Sequence, residues 1–200
     1  MPGTNTSAVP FNPYKLLNAQ GNLFSIMRLK EKASNTQLQG TPCFVDTTGF
    51  CLERTAIDDG TKVVAGITLE IASNLTTSGV PKTLTYGSVQ NQSSAVNIPM
   101  GAPLEDGTLG FYVANSNSLF SGKTDTAHLL AQTDIGGIAG TSLFGITKDA
   151  TTGFWFVDTT ITAVASGACV EVVELIDPVG TAGGLVAFRF MAIRQQFGSS

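Results

Sequence analysis

Residues 168–194 constrain the fold more than any other stretch: ACVEVVELID, then PVGTAGG, then LVAFRFMAIR, two β-type runs joined by a Pro/Gly turn with no helical periodicity. In the first run Val170, Val172 and Leu175 interleave with Glu171 and Glu174; in the second, Val186, Phe188 and Phe190 share one face with Arg189 among the others. β-Branched and aromatic side chains stand where a pleated, half-buried surface needs them. The spacing predicts a C-terminal antiparallel hairpin.

Short β-prone runs recur upstream: Leu23 to Leu29, Cys43 to Asp46, Lys62 to Ala72, Lys82 to Gln90, Leu109 to Ala114, Leu143 to Thr147 and Phe154 to Val164. Asp58-Asp59-Gly60, Glu105-Asp106-Gly107 and Thr152-Gly153 punctuate them as tight turns, because Gly tolerates positive φ and Asp bonds its own backbone. The best helical candidate, Ala127 to Ala131, is too short to stand alone as a helix and can equally be a strand or a single turn. The expected fold is all-β, a sandwich or barrel-like domain. Phe-Val-Asp-Thr-Thr occurs at 44–48 and again at 156–160. A duplicated module would explain it, but in a Thr-rich chain it reads as coincidence or shared turn chemistry.

Residues 1–22 stand apart. Pro2, Pro10 and Pro13 are spaced through polar residues, a pattern that favours extended backbone and resists helix. The segment reads as an N-terminal arm preceding a β domain over 23–200, which divides, if it does, into two small modules near 115–125. Phe11, Tyr14, Leu16 and Leu17 are the arm's apolar anchors and the candidate interface residues. They can dock on the chain's own sheet or on another subunit.

Composition narrows the function classes. Only 13% of the 200 residues are charged, against roughly 25% in typical soluble domains, so the surface is built largely of uncharged polar groups. Such a surface suits a chain that works against neighbours. A net charge of -4 argues against a general phosphate-binding surface, so no nucleic-acid partner is expected. The one basic cluster, Arg28-Leu29-Lys30-Glu31-Lys32, reads as a solvated strand edge. The N-terminal sequence has no charged n-region before an apolar core, and no apolar run approaches the length of a membrane span, so a cytoplasmic site of synthesis and no membrane partner are expected. Cys43, Cys51 and Cys169 are odd in number and cannot all pair within one chain, so no disulfide framework is expected.

Catalytic signatures are absent from the sequence. His128 is the sole histidine, which excludes a multi-histidine metal site and leaves any Ser-His-Asp or Cys-His arrangement dependent on this residue. Its apolar neighbours read as packing. There is no phosphate loop, no G-x-S-x-G elbow and no H-E-x-x-H. The adjacent carboxylates Asp58 with Asp59 and Glu105 with Asp106 each precede Gly and read as turns. Trp155, between Phe154 and Phe156, reads as a core or interface aromatic; as a sugar platform, with Tyr86 or Tyr112, it would make a carbohydrate-binding module. No enzymatic activity and no cofactor are expected.

VEVVELIDPVGTAGGLVAFRF at 170–190, with Gly-Ile-Thr-Leu-Glu at 66–70 and Pro-Leu-Glu-Asp-Gly-Thr-Leu-Gly at 103–110, resembles tailed-bacteriophage virion proteins, most closely the small cement or decoration proteins bound outside icosahedral heads. The resemblance covers about half the chain and has no invariant ligand or catalytic motif. It implies a β-rich, non-enzymatic protein on the outer surface of the virion, homotrimeric, with the major capsid protein as partner and an extended arm for clamping capsomers. Other virion parts, a tail, fibre or minor coat protein, share the same composition.

Overall fold

The computed structural model describes residues 3–14, 24–32, 35–54, 63–72, 84–85, 95–96, 108–136 and 143–197. The chain is all-β: two antiparallel sheets pack against each other, and three single-turn 3₁₀ segments are the helical elements among the described residues. One sheet contains β2 (Ile26–Lys30), β3 (Pro42–Val45), β4 (Cys51–Glu53), β5 (Gly66–Thr68) and β8 (Thr108–Val113), in the order β2-β8-β5-β3-β4. The other contains β9 (Phe120–Lys123), β10 (Leu143–Lys148), β11 (Trp155–Asp158), β12 (Val170–Leu175) and β13 (Leu185–Phe190), in the order β9-β13-β12-β10-β11. A two-residue strand from the arm, β1 (Asn12–Pro13), lies outside β9, and β6 (Leu84–Thr85) pairs with β7 (Ala95–Val96) separately.

The two orders are the same order. Each sheet places its first strand beside its fifth, then the fourth, second and third. Register and hydrogen bonds agree position by position. Ala65 N–H donates to Cys43 O at 2.8 Å and Cys169 N–H to Phe144 O at 2.8 Å; Ala114 N–H donates to Ala65 O at 2.8 Å and Met191 N–H to Cys169 O at 2.9 Å. Each sheet also curls until its third strand meets the end of its first at one parallel bridge, Glu31 with Cys51 and Thr124 with Val157. The chain is therefore two copies of one five-stranded module, joined through residues 114–119. Curling also limits the exposed edges that flat sheets present to other chains.

The repeated Phe-Val-Asp-Thr-Thr does not mark this duplication. Its first copy leaves the second strand of one module, and its second copy leaves the third strand of the other. What the copies share is turn chemistry: Thr48 N–H and Oγ1–H donate to Asp46 Oδ1 at 2.9 and 2.6 Å, and Thr160 N–H and Oγ1–H to Asp158 Oδ1 at 3.1 and 2.6 Å. The Thr48 hydroxyl, the Lys32 ammonium and the Phe50 N–H hold the Asp46 carboxyl well below the usual range. The equivalent turns carry a different repeat, Thr-Thr-Gly-Phe at 47–50 and 151–154. Both glycines adopt positive φ, 84° at Gly49 and 75° at Gly153, which a side chain at Cβ would oppose. Asp46 N–H closes onto Phe50 O and Asp149 N–H onto Phe154 O.

The C-terminal hairpin forms as expected, β12 against β13, with Val172 opposite Phe188 and Leu175 opposite Val186. A bulge between Val172 and Glu174 resets the alternation, which is how Val170, Val172 and Leu175 reach one face despite their uneven spacing. The stretch 154–164 is shorter as a strand than its composition implies, because the Asp158 turn ends β11. Ala127 to Ala131 is a loop, with the 3₁₀ turn at Gln132–Asp134 after it.

Two clusters of buried side chains hold the modules. Cys43, Cys51, Ala65, Leu109, Phe111 and Val113 fill the first, with Met27, Leu29 and Val45 packed against them. The larger joins the modules: Phe24, Val64, Ile67 and Ala114 pack with Phe120, Ile146, Trp155, Val170, Phe188 and Phe190. The tail returns to the first module, where Gln196 exchanges side-chain bonds with the Val45 backbone at 2.7 and 2.6 Å and Phe197 stacks on Phe111 at 6.4 Å.

Candidate interaction surface

The described part of the arm is sewn to its own chain. Gly3 N–H donates to Asp158 Oδ2 at 3.0 Å, Thr126 N–H and Oγ1–H donate to Thr4 O at 2.8 and 2.6 Å, and the Asn5 amide donates to Thr124 O. Phe11 N–H then reaches Gly40 O at 2.9 Å, so the arm touches both modules. Phe11 is 1% exposed. Its ring meets Phe188 edge to face at 5.0 Å and occupies the space above Gly122, where an added Cβ would stand 2.4 Å from the ring. Phe11 is thus a core residue of its own chain, and its ring is not presented to a neighbour. Tyr14 N–H donates to Leu119 O at 2.7 Å and its side chain is half-buried. Leu16 and Leu17 lie outside the described residues.

One aspartate that sequence reasoning left out, Asp158, anchors Gly3 of the arm, and a second, Asp125, binds the turn after β11. Asp158, fully buried, accepts from Gly3 N–H, Thr147 Oγ1–H at 2.7 Å, and both donors of Thr160. Asp125, 3% exposed, accepts from Thr159 N–H at 3.2 Å and from the Thr159 hydroxyl. The available signal for Asp158 was the Asp-Thr-Thr turn pattern, which marks carboxylates that satisfy backbone donors; Asp125, in Asp-Thr-Ala, does not carry it.

The other candidates resolve into packing. His128 Nε2 and Asp134 Oδ2 are 2.8 Å apart, and the same oxygen accepts Ala131 N–H at 2.8 Å, so the pair clamps the loop leading into the 3₁₀ turn. Trp155 is fully buried, with its Nε1–H on Glu53 Oε1 at 3.1 Å and Lys148 Nζ 2.8 Å from the same carboxylate oxygen. It presents no ring face to a ligand. Tyr112 packs edge to face on Phe24 at 5.6 Å. Tyr86 and the pairs Asp58-Asp59 and Glu105-Asp106 lie outside the described residues. Among the described residues no group of three or more His, Cys, Asp or Glu is placed to hold a metal ion, and no helix is long and apolar enough to cross a membrane.

All three cysteines are free and buried. Burial, with Cys51 beside it, pushes the Cys43 thiol well above its ordinary value. Because the thiolate is the reactive form, Cys43 is expected to resist iodoacetamide in the native protein at pH 8 and to alkylate fully once the chain is unfolded in urea. Rapid native labelling at Cys43, read by peptide mass spectrometry, would contradict its placement.

The surface that remains is apolar in places and poor in charge. Ile26, Leu129, Val179 and Ile193 are exposed large side chains. Leu129 and Val179 sit on neighbouring loops braced by Gly180 N–H to Leu130 O at 2.7 Å, Leu130 N–H to Thr181 O at 3.1 Å and Gly183 N–H to His128 O at 2.9 Å. In the basic cluster, Arg28 pairs with Glu70 at 2.7 Å and Lys32 with Asp46 at 2.9 Å, while Glu31 is buried. Compared with known proteins, the chain matches no protein-family model, no curated protein and no solved structure.

Proposed function

We propose that this chain is a structural protein of a bacteriophage particle, a cement or decoration protein that binds the outside of the assembled head and stabilises contacts between capsomers. The observation that carries this reading is the surface: a chain with 13% charged residues that keeps Ile26, Leu129, Val179 and Ile193 exposed on hydrogen-bonded strands and loops. Apolar side chains held out in this way favour association. The segment resemblance at 66–70, 103–110 and 170–190 directs that association to a phage shell.

The mechanism is mass action. A subunit that binds only the assembled lattice adds its binding free energy to that lattice, and no reaction is involved. The β modules serve self-association, as a trimer, and contact with the major capsid protein. Since Phe11 is committed to its own core, Tyr14 with Leu16 and Leu17 are the arm residues left for the shell.

Quantitative mass spectrometry of purified particles, against the major coat protein, tests the reading. The expected ratio is between one copy per coat subunit and one per few. A handful of copies per particle would make the chain a tail or vertex part, and absence from particles would end the virion reading.

A further inference from the structure

The duplication turns one strand edge into a docking site. In the second module the outer edge of β9 is occupied by the arm, with Asn12 opposite Ser121 and Tyr14 N–H on Leu119 O. Proline suits this added strand because Pro13, lacking a donor, falls between the bonded positions. The equivalent edge in the first module is β2, an outer strand whose far side is met, among the described residues, only just past its end, where Glu31 bridges Cys51.

Its outward groups follow from the ladder. Val113 N–H donates to Ser25 O at 2.8 Å; with Ile26 opposite Tyr112, alternation sends the N–H and C=O of Ile26, Arg28 and Lys30 away from β8. The matching set on β9 is Leu119, Ser121 and Lys123. Leu119 is half-buried beneath the arm, whereas Ile26 is 58% exposed. At the position equivalent to Gly122 stands Leu29, which packs into its own module's core. The open edge therefore needs main-chain pairing and a cover for Ile26, with no inserted ring.

We propose that β2 accepts an extended, non-helical segment of the shell protein as an added strand, neutral or acidic opposite Arg28 and Lys30; this rests on the shell-binding reading above. Main-chain bonds supply the attachment, as in other strand additions. A second copy of this chain is the poorer occupant. Antiparallel pairing of two β2 strands centred on Arg28 sets the two Arg28 against each other, and centred on Leu29 sets Arg28 of each against Lys30 of the other, which is destabilising.

Two variants of the full chain test the edge on expanded heads stripped of this protein. Arg28→Pro removes one outward donor and leaves the bonds to β8 intact; Arg28→Thr loses the Glu70 ion pair but keeps the donor. Apparent affinity for heads is expected to fall about tenfold or more with Arg28→Pro and to stay within about twofold with Arg28→Thr. On wild-type protein, amide exchange at Ile26, Arg28 and Lys30 should slow on binding to heads, a readout that does not depend on the proline variant folding.

If wild type does not bind heads, the shell reading fails and this inference fails with it. If wild type binds but its β2 amides exchange as in the free protein, the edge inference alone is overturned, as it is if folded Arg28→Pro binds equally. If Arg28→Pro instead dissociates an oligomer of the free protein, the edge is a contact between copies and the proposed occupant is wrong.

Discussion

Replacing Phe11 by Ala is expected to lower unfolding stability by about 3–5 kcal/mol, the range for truncating a buried aromatic, measured by urea denaturation. The ring fills the space that Gly122 leaves above Phe188, so its loss opens a cavity in the larger core and frees the arm. The equivalent position in the first module offers the compensation. There Leu29 fills the site from its own strand, so Gly122→Leu should be destabilising alone, where Leu and Phe11 collide. In the Phe11→Ala background it should recover part of the loss. A coupling of about 1–3 kcal/mol between the two sites is expected for groups that share one space. A loss below about 1 kcal/mol for Phe11→Ala would be that of a surface position and would remove the ring from the core.

The second large effect is at Asp158. Asp158→Ala removes a fully buried carboxylate that accepts two backbone N–H groups, of Gly3 and Thr160, and two hydroxyls, of Thr147 and Thr160. The hydroxyls can turn to other acceptors, but the amides cannot. Gly3 is half-buried and Thr160 exposed, so water takes up part of the lost bonding, and a loss of about 1–3 kcal/mol is expected. Hydrogen exchange gives the spatial signature: amides at Gly3 and Thr160 should exchange faster, while Phe11 and Tyr14, held by Gly40 and Leu119, keep their protection. Uniform loss of protection along the arm would mean that the segment is held as one unit and not by separate anchors.

Deleting the arm is therefore not a neutral way to test shell binding. The absence of helix over the described arm residues 3–14 and the apolar character of Phe11 and Tyr14 were legible in the proline spacing and residue types. Which sheet they meet was not, because the receiving site is an absence: Gly122 offers no side chain, and Phe120-Ser121-Gly122-Lys123 has too little β character to announce β9 as a strand. Trp155 was legible as a core aromatic, and His128 as packing, yet their partners Glu53 and Asp134 carry no local signal of pairing. Asp158 went unnoticed because an Asp-Thr-Thr turn looks the same whether it faces water or holds a distant segment, here Gly3.

By itself the sequence determined the class of this protein: alternation of apolar and polar residues, turns at Gly, Pro and Asp, and prolines against helix act over a few residues and need no distant partner. The strand order, the duplication it reveals, the occupied edge at β9 and the open edge at β2 were decided by the tertiary structure. Pairing depends on which edges and hollows meet across the chain, and positions such as Gly122 and Leu29 differ in what they fill, not in any local preference that a neighbouring residue could betray.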